Sequence, residues 1–327
     1  MQSRFARGPL TGSRFIGNWL SMMTDRDFSL FQITLQQRAA SVEAMLGNLL
    51  SDRPQTGEIS RPPRLMAAIR HSVLNGGKRL RPFLIMESAA LFSADNPAAL
   101  RVAAALECIH SYSLVHDDLP AMDNDDLRRG QPTVHRKFDE ATAILAGDSL
   151  LTYAFELIAS EETELDAQAR VALVATLARA AGVGGMVGGQ ALDLEAEKVK
   201  PDEQGIIRLQ AMKTGALIRF ACEAGAIVGH SNLEDRERLA EYGSAIGLAY
   251  QLADDLLDVT ADAAHMGKAT GKDAAAGKAT LVSMHGIEWT QRQLVGLVAQ
   301  AEELLAPFGE KAALLKDAAR FIAERQS

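Results

Sequence analysis

Aromatic residues, cysteines and strand-forming runs are all scarce in this chain of 327 residues. Phe, Trp and Tyr together make up 5% of the sequence, and the two cysteines are Cys108 and Cys222. Two cysteines exclude a disulfide framework and a thiolate metal cluster, and they favour a reducing compartment, of which the cytoplasm is the simplest case. Ala, Leu, Glu, Arg and Gln dominate where runs of Val, Ile, Thr and Tyr are lacking, so the composition predicts an all-α fold.

Positive charge and long apolar segments are also in short supply. The formal net charge is −8 and the sequence pI is near 5.5. Both values exclude a general nucleic-acid binder, because such proteins hold phosphates through clustered Lys and Arg. No stretch approaches the roughly 18 apolar residues that span a bilayer, so we expect no membrane insertion.

The N-terminal segment differs in composition from the rest. It contains arginines but no acidic residue before Asp25, which is typical of a transit-type peptide. The alternative is that translation starts at Met22 or Met23. We therefore predict that residues 1–28 are a disordered or misassigned extension, and that residues 29–327 form a single all-α domain.

Apolar residues recur at three- and four-residue steps along most of the chain, as in amphipathic helices. The pattern predicts helices over segments 30–50, 63–75, 81–92, 97–119, 136–160, 165–182, 203–230, 234–261, 289–306 and 310–325. The glycine run at 182–197 has neither the preceding strand nor the spacing of a dinucleotide motif. We predict that its glycines allow helices to approach closely and do not bind a nucleotide.

An acidic cluster lies within the apolar phrase "YQLADDLLD". Asp254 and Asp258 are four residues apart, so they share one helix face, and Asp255 lies beside that face. Carboxylates at this spacing repel each other, and no lysine accompanies them here. A hard divalent cation would relieve the repulsion, and carboxylate oxygens without cysteine favour Mg²⁺ over Zn²⁺.

A second acidic cluster lies in "HDDLPAMDNDDLRRG". On an unbroken helix Asp123 would turn well away from Asp117 and Asp118. Pro120 lacks a backbone donor and disfavours a helical Leu119, so we predict a bulge that brings Asp123 back toward the same ion. Two such clusters about 130 residues apart predict one shared site for several metal ions.

Basic residues occur in local groups that complement these carboxylates. The groups are Lys78, Arg79 and Arg81; Arg128 and Arg129; Lys213, followed by Thr214; and Lys268, Lys272 and Lys278. Mg²⁺ on a few carboxylates keeps coordination positions open for substrate phosphate. The cations outnumber the needs of one phosphate group, so they predict two diphosphates, one bound through metal and one through Arg and Lys.

Six phrases together identify a family. "GGKRLRP", "HDDLPAMDNDDLRRG", "AILAGDSLL", "GGQALDLEAE", "KTGALI" and "YQLADDLLD" follow one another in the order and at about the spacing seen in trans-prenyl diphosphate synthases. The chain resembles this family over about residues 35–325, and in particular its short-chain bacterial farnesyl diphosphate synthase type.

The resemblance implies a bundle of about ten or more helices around a deep central cavity, usually in a homodimer, with three Mg²⁺ ions per active site. The implied metal ligands are carboxylates of both clusters: Asp117, Asp118, Asp123, Asp254, Asp255 and Asp258. The residues implied to act on the allylic diphosphate or its reacting carbon are Arg128, Lys213, Lys268, Thr214 and Gln251. Those implied to hold the metal-free homoallylic diphosphate are Lys78, Arg81, His110 and Arg129, with Lys278 also assigned to substrate binding.

The implied reaction is the Mg²⁺-dependent head-to-tail (1′-4) condensation of isopentenyl diphosphate with dimethylallyl or geranyl diphosphate to give (2E,6E)-farnesyl diphosphate. It proceeds by ionisation, condensation and elimination. Metals and fixed cations stabilise the leaving diphosphate, and an apolar cavity shields the allylic cation from water. No protein general base is needed, which fits the lack of a visible Ser-His-Asp or Cys-His arrangement.

Product length depends on the residues beneath the first aspartate. In the family, an aromatic residue five positions earlier, together with the insertion at 119–122, goes with a fifteen-carbon product, and Tyr112 occupies that position. Helical geometry sets the small Ser113 more directly below Asp117, so a twenty-carbon product stays open. The alternatives are a geranylgeranyl diphosphate synthase and, in a different class, a non-catalytic regulatory subunit of a prenyl synthase.

Overall fold

The computed structural model describes residues 28–92, 96–264 and 280–324, with the backbone alone for 261–264. The regular secondary structure of the described part is helical apart from one short hairpin, β1 Leu127–Arg128 and β2 Gln131–Pro132. The α-helices are α1 Ser29–Leu49, α2 Pro63–Val73, α3 Leu80–Ala90, α4 Pro97–Asp117, α5 Val134–Lys137, α6 Glu140–Ala159, α7 Ala167–Ala181, α8 Met186–Ala196, α9 Glu203–Gln210, α10 Ala216–Val228, α11 Leu233–Ala264, α12 Leu281–His285, α13 Ile287–Leu305 and α14 Ala313–Ala323. The predicted all-α fold is confirmed, whereas the predicted extension at 1–28 lies almost entirely outside the described residues.

Polar side chains fix where several helices begin. The side chain of Asn96 accepts a hydrogen bond from the Ala98 amide at 3.0 Å, and Pro97 occupies the first position of α4. Asp139 precedes α6 and accepts from the Thr142 amide at 2.7 Å. Such caps satisfy amide groups that have no partner inside the helix, so they define the start of the helix.

The core is built around α4. Its residues 102–109 are buried without interruption, and Ala103, Ala104 and Ala105 among them leave room for neighbouring helices. Helix α4 packs against α1, α3, α6 and α10, and α10 in turn packs against α3, α7 and α11. The C-terminal end of α4, which carries the first acidic cluster, is thereby held in the middle of the bundle.

The structure differs from the sequence-based helices in three ways. The glycine run at 182–197, for which we predicted no helix, contains all of α8. The predicted helix 203–230 is divided by a π-helical turn at Ala211–Gly215. The hairpin, α5 and α12 were also not predicted, because elements of two to five residues are too short to show a periodicity.

Three segments are more apolar than our sequence-based expectation allowed. By length and composition alone, Pro97–Asp117, Glu140–Ala159 and Ala167–Ala196 each contain an 18-residue window apolar enough to cross a membrane. In the structure 72% of the first window, 44% of the second and 28% of the third is buried. Core packing therefore accounts for the hydropathy of α4, and the expected lack of membrane insertion stays a prediction.

Candidate active site

The first acidic cluster lies where α4 ends. The helix stops at Asp117, shortly before Pro120, which lacks a backbone donor and disfavours a helical Leu119. The chain then turns back, and the amide of Asp123 donates to the carbonyl oxygen of Asp117 at 2.8 Å. Asp117 and Asp123 therefore lie side by side, although a straight helix would have separated them.

The charge on Asp117 is in an unfavourable environment. Burial raises the pKa of Asp117 to about 6, the charge of Lys213 lowers it, and the charge of Asp123 raises it further. An ionised carboxylate that is partly desolvated and close to a second carboxylate is stabilised by added positive charge. This pair is therefore suited to bind a cation.

Asp118 and Arg128 lie against each other. Asp118 is buried and accepts hydrogen bonds from Nε of Arg128 at 3.0 Å and from its Nη2. Arg128 belongs to β1, and its Nη2 also lies 3.4 Å from Asp125. Both residues line a small recess, separate from the larger cavity that Asp117 lines. Asp118 therefore orients Arg128 here, and their predicted roles in metal and diphosphate binding stay predictions.

A basic cavity of about 480 Å³ lies between the start of α3, the middle of α4 and the C-terminal helix α14. Its walls include all four residues predicted to hold a metal-free diphosphate: Lys78, Arg81, His110 and Arg129. Arg129 donates to the carbonyl oxygen of Gly76, and a Cβ on Gly77 would lie 2.7 Å from the Arg129 guanidinium. The Gly-Gly turn thus makes room for Arg129 to reach the cavity.

The positive charges of the basic cavity affect one another. Burial, and then the charges of Arg81 and Arg129, lower the pKa of His110 well below its ordinary value. Partial desolvation and the charge of Arg79 likewise lower the pKa of Arg129. His110 is therefore a neutral imidazole that offers hydrogen bonds, and the guanidinium groups around it favour a bound polyanion.

Arg79 forms a buried ion pair within the protein, and its neighbours Lys78 and Arg81 line the basic cavity. Its guanidinium forms a buried ion pair with Glu107 and donates to the carbonyl oxygen of Val73 at 2.6 Å. Its φ of 49° is left-handed and lies immediately before α3. Because its charge is already paired, Arg79 anchors the segment that presents Lys78 and Arg81.

An apolar cavity of about 380 Å³ adjoins the basic one and shares Arg81 and His110 with it. Its polar wall contains Asp117, a predicted metal ligand, with Lys213 and Thr214, which were predicted to act on the allylic diphosphate or its reacting carbon. The remaining walls are largely apolar and include Met122, Met186, Val187, Ala191, Leu194 and Leu217. Tyr112, Ser113 and His116 of α4 also line this cavity, and the rings of Tyr112 and His116 meet edge to face at 5.8 Å.

Lys213 and Thr214 lie on the π-helical turn between α9 and α10. A Cβ on Gly189 of α8 would lie 2.2 Å from the Lys213 amide nitrogen, and one on Gly247 of α11 would lie 3.0 Å from the Cα of Gly215. Glycines on both sides therefore let the turn fit between two helices, as predicted for the glycine run. The side chain of Lys213 forms an ion pair with Asp193 at 2.5 Å.

The second acidic cluster lies on α11, which packs against the π-helical turn. Asp255 is buried and accepts a hydrogen bond from Nε2 of Gln210 at 2.8 Å. Asp254 is half-buried and Asp258 is exposed. Gln251 is half-buried one turn earlier, and it is not among the described residues that line the two cavities.

The donor set fits Mg²⁺. The candidate ligands are carboxylate oxygens, and within residues 28–92, 96–264 and 280–324 no three His, Cys, Asp or Glu side chains converge closely enough to enclose an ion. Mg²⁺ commonly keeps several waters and binds through one or two carboxylates plus substrate phosphates. Asp117, the last residue of α4, and Asp123, which lies beside it, are therefore suited to such an ion. A metal site shared with Asp254 of α11 stays a prediction.

Some predicted residues lie outside this description, and some residues of the site were not predicted. Lys268 and Lys278 lie outside the described residues. Gln190 and Asp193 were missed as individual residues, although both belong to the phrase "GGQALDLEAE". The sequence signal that could have identified them is a carboxylate, Asp193, one helical turn after an amide, Gln190, in an otherwise apolar segment.

Comparison with known proteins gives a consistent result. The family model described as polyprenyl synthetase matches residues 62–312. Farnesyl diphosphate synthase of Escherichia coli is 43% identical over 249 residues, which cover 76% of this chain and 83% of that protein. A putative chloroplastic geranylgeranyl pyrophosphate synthase of Arabidopsis thaliana is 42% identical over 304 residues, covering 91% of this chain and 82% of that protein.

A solved structure extends the similarity to the fold. The crystal structure of an FPP/GFPP synthase from Zymomonas mobilis aligns with a TM-score of 0.79 and 45% identity, covering 89% of this chain and 98% of that one. The relatives thus differ in the products that their names state, and the solved structure shares its fold with this chain.

Proposed function

This chain belongs to the polyprenyl synthetase family, and from that premise we propose that it makes farnesyl diphosphate from isopentenyl diphosphate and dimethylallyl or geranyl diphosphate. The chain is a trans-prenyl diphosphate synthase, and the fifteen-carbon product is the proposed part. The observation that carries the proposal is the pair of cavities that share Arg81 and His110. One is basic and the other combines the charged side chains of Asp117 and Lys213 with apolar walls, which suits two different diphosphates side by side.

The residues of the two cavities divide the chemistry between them. Lys78, Arg81 and Arg129 hold isopentenyl diphosphate through its charge, and neutral His110 adds a hydrogen bond. The allylic chain lies against the apolar walls, which exclude water from the carbon that becomes positive. Lys213 faces the leaving diphosphate and stabilises its growing charge.

Magnesium is part of the proposal because the carboxylates fit it. Asp117, Asp123 and Asp254 would hold the ions together with the allylic diphosphate, and Asp118, Asp255 and Asp258 would support them. When bound, Mg²⁺ neutralises charge on the leaving diphosphate. The proton lost at the end of the reaction passes to the released diphosphate, so no side chain is assigned as a general base.

Tyr112 supports the fifteen-carbon product. It is 6% exposed and lines the apolar cavity with its ring against His116. A bulky aromatic pair in this wall limits the room for a growing chain. Ser113 also lines the cavity and donates to the carbonyl oxygen of His110 at 2.9 Å, so it leaves space that a longer product would need.

A product-length assay tests the proposal. The purified protein is incubated with Mg²⁺, geranyl diphosphate and radiolabelled isopentenyl diphosphate, and the product is dephosphorylated and separated by chain length. We expect mainly a fifteen-carbon alcohol. Mainly twenty-carbon alcohol would instead make the chain a geranylgeranyl diphosphate synthase.

The regulatory-subunit alternative is separated from this proposal by activity. Both acidic clusters are intact in the sequence, whereas a subunit without catalysis has no need of them. We expect the wild-type protein alone to condense the two substrates and Asp254→Ala to lose this activity. A wild-type protein that is inactive alone but changes the product of an active synthase would favour the alternative.

We also propose an assembly state and a cellular location. Exposed apolar side chains on α6, Ile144 and Leu145, are suited to a helix packing interface, so we propose a homodimer with twice the chain mass of 35.1 kDa. Light scattering in solution tests this. Cys108 and Cys222 are buried and unpaired, which is compatible with the proposed cytoplasmic location, and cell fractionation tests that location.

A further inference from the structure

Gln190 of α8 is a buried amide whose two polar atoms are both unbonded. Its side chain lies in the wall of the apolar cavity and the residue is 7% exposed. Neither Oε1 nor Nε2 has a hydrogen-bond partner, and no other side-chain amide in the described part of the chain is buried with both ends unbonded. Burying an unbonded polar group is unfavourable, so such a group calls for a partner when the cavity is filled.

The surroundings of Gln190 indicate what that partner is. Asp193, one turn later on the same helix face, holds the side chain of Lys213. Gly189, the preceding residue, packs against the backbone of Lys213. Gln190 is therefore close to the π-helical turn, and it lines the cavity between the charged side chains of Asp117 and Lys213 and the apolar walls. A diphosphate joined to a hydrocarbon chain likewise has a charged part next to an apolar part.

We propose that Gln190 is a substrate-positioning residue for the allylic diphosphate. Its amide nitrogen donates a hydrogen bond to an oxygen of the phosphate next to the allylic carbon. Its carbonyl oxygen, the negative end of the amide dipole, faces the carbon that becomes positive as the bond to that phosphate breaks. Isopentenyl diphosphate, bound in the basic cavity, does not contact it.

Two substitutions separate the two ends of the amide. Gln190→Leu is close to glutamine in volume and removes both polar atoms, whereas Gln190→Glu keeps an oxygen but replaces the donor with negative charge. The measurements are KM for geranyl and isopentenyl diphosphate, the Kd for geranyl diphosphate by calorimetry in Mg²⁺ buffer, and the melting temperature of the ligand-free protein.

We expect Gln190→Leu to raise KM and Kd for geranyl diphosphate about tenfold, the loss of one hydrogen bond to a charged group, with KM for isopentenyl diphosphate within about twofold. Gln190→Glu raises the Kd for geranyl diphosphate further, because a carboxylate repels the phosphate. The melting temperature of ligand-free Gln190→Leu rises by about 1–3 °C, because two unbonded polar atoms leave the interior. A purely structural glutamine would not give this combination.

Gln37→Leu is the matched control, since Gln37 is exposed on α1, and it should neither change KM nor raise the melting temperature. The role of Gln190 is rejected if Gln190→Leu leaves the Kd for geranyl diphosphate unchanged, or if it lowers the melting temperature and raises both KM values alike. The inference rests on the proposed function, but the two fail differently. A wild-type protein without condensation activity rejects the function, whereas an active wild type with an unaffected Gln190→Leu variant rejects only the role of Gln190.

Discussion

Tyr112 is the single residue on which the proposed product length depends most. Its ring lines the apolar cavity and packs edge to face against His116. We expect Tyr112→Ala to shift the product from fifteen to twenty or more carbons, because removing the ring opens the wall beside the growing chain. Chromatography of the dephosphorylated products measures the shift.

Tyr112→Phe is the matched control for this prediction. It keeps the ring and removes only the hydroxyl, so the product should stay at fifteen carbons. An unchanged product from Tyr112→Ala, in a protein that melts at the wild-type temperature, would show that another residue limits the chain.

Gly147 of α6 controls the position of His116. A Cβ on Gly147 would lie 2.1 Å from Nε2 of His116, which itself contacts the carbonyl oxygen of Ile144 at 3.1 Å. We expect Gly147→Ala to push the His116 ring into the apolar cavity. The ratio of KM for geranyl diphosphate to KM for dimethylallyl diphosphate should then rise about tenfold, as for a moderately overpacked site. Steady-state kinetics with each allylic substrate measures the ratio.

Removing the displaced ring checks that explanation. The double variant Gly147→Ala, His116→Ala should recover much of the preference for geranyl diphosphate, because the added methyl group then has nothing to displace. If the ratio of the two KM values is the same in Gly147→Ala as in the wild type, His116 does not move into the cavity.

At the scale of elements, the contact between α8 and the π-helical turn sets the position of Lys213. A Cβ on Gly189 would lie 2.2 Å from the amide nitrogen and 2.5 Å from the Cα of Lys213, and backbone atoms cannot give way as a side chain can. We expect Gly189→Ala to lower the free energy of unfolding by about 1–3 kcal/mol and to reduce kcat. Urea denaturation and the condensation assay measure the two effects.

Gly296→Ala is the matched helical control. Gly296 lies within α13 and is exposed, and a Cβ added to it would meet no neighbouring atom within 4 Å. Alanine should therefore raise the free energy of unfolding by about 0.5–1 kcal/mol through helix propensity. A Gly189→Ala variant as stable and active as the wild type would mean that α8 and the turn can separate without consequence.

The Arg79–Glu107 ion pair joins the segment before α3 to the middle of α4. The two side chains are 1% and 3% exposed, so the pair is shielded from solvent. It fixes the chain between Lys78 and Arg81, whose side chains must enter the basic cavity together. Arg79 thus stabilises the start of α3, while its neighbours Lys78 and Arg81 line the basic cavity.

At the scale of the whole molecule, the two groups of carboxylates lie at the end of α4 and on α11, and α11 packs against the turn that carries Lys213. Mg²⁺ and diphosphate should bind there as a unit, because each supplies the charge that the other needs. We expect Mg²⁺ with inorganic pyrophosphate to raise the melting temperature by more than the two separate increases combined. Bound ligand at about 100 times its Kd adds about 2.7 kcal/mol of stability.

Differential scanning fluorimetry with Mg²⁺, pyrophosphate, both and neither measures the effect. Asp117→Asn is the control variant, since it removes one carboxylate at the end of α4. In this variant, Mg²⁺ and pyrophosphate together should raise the melting temperature by no more than the sum of their separate increases. Equal stabilisation by pyrophosphate with and without Mg²⁺ would show that the basic residues alone hold the anion.

Parts of the site were predictable because they depend on local chemistry. Pro120 disfavours a continued helix whatever the tertiary structure, so the return of Asp123 to Asp117 could be predicted from the sequence. The basic group around the Gly-Gly turn likewise predicted a phosphate-binding cavity. The pairing of Asp118 with Arg128 was not predictable, because a ten-residue separation in a turn and hairpin has no fixed geometry.

By itself the sequence determined the helical composition, the break at Pro120, the chemistry of the ligands and the family. These follow from backbone restrictions and from motifs that are contiguous in the chain. Only the tertiary structure decided which charges are paired within the protein, as for Arg79 with Glu107 and Lys213 with Asp193, and which amide stays unbonded. Such pairings join residues that are distant in sequence, and they are set by how helices pack rather than by any local preference.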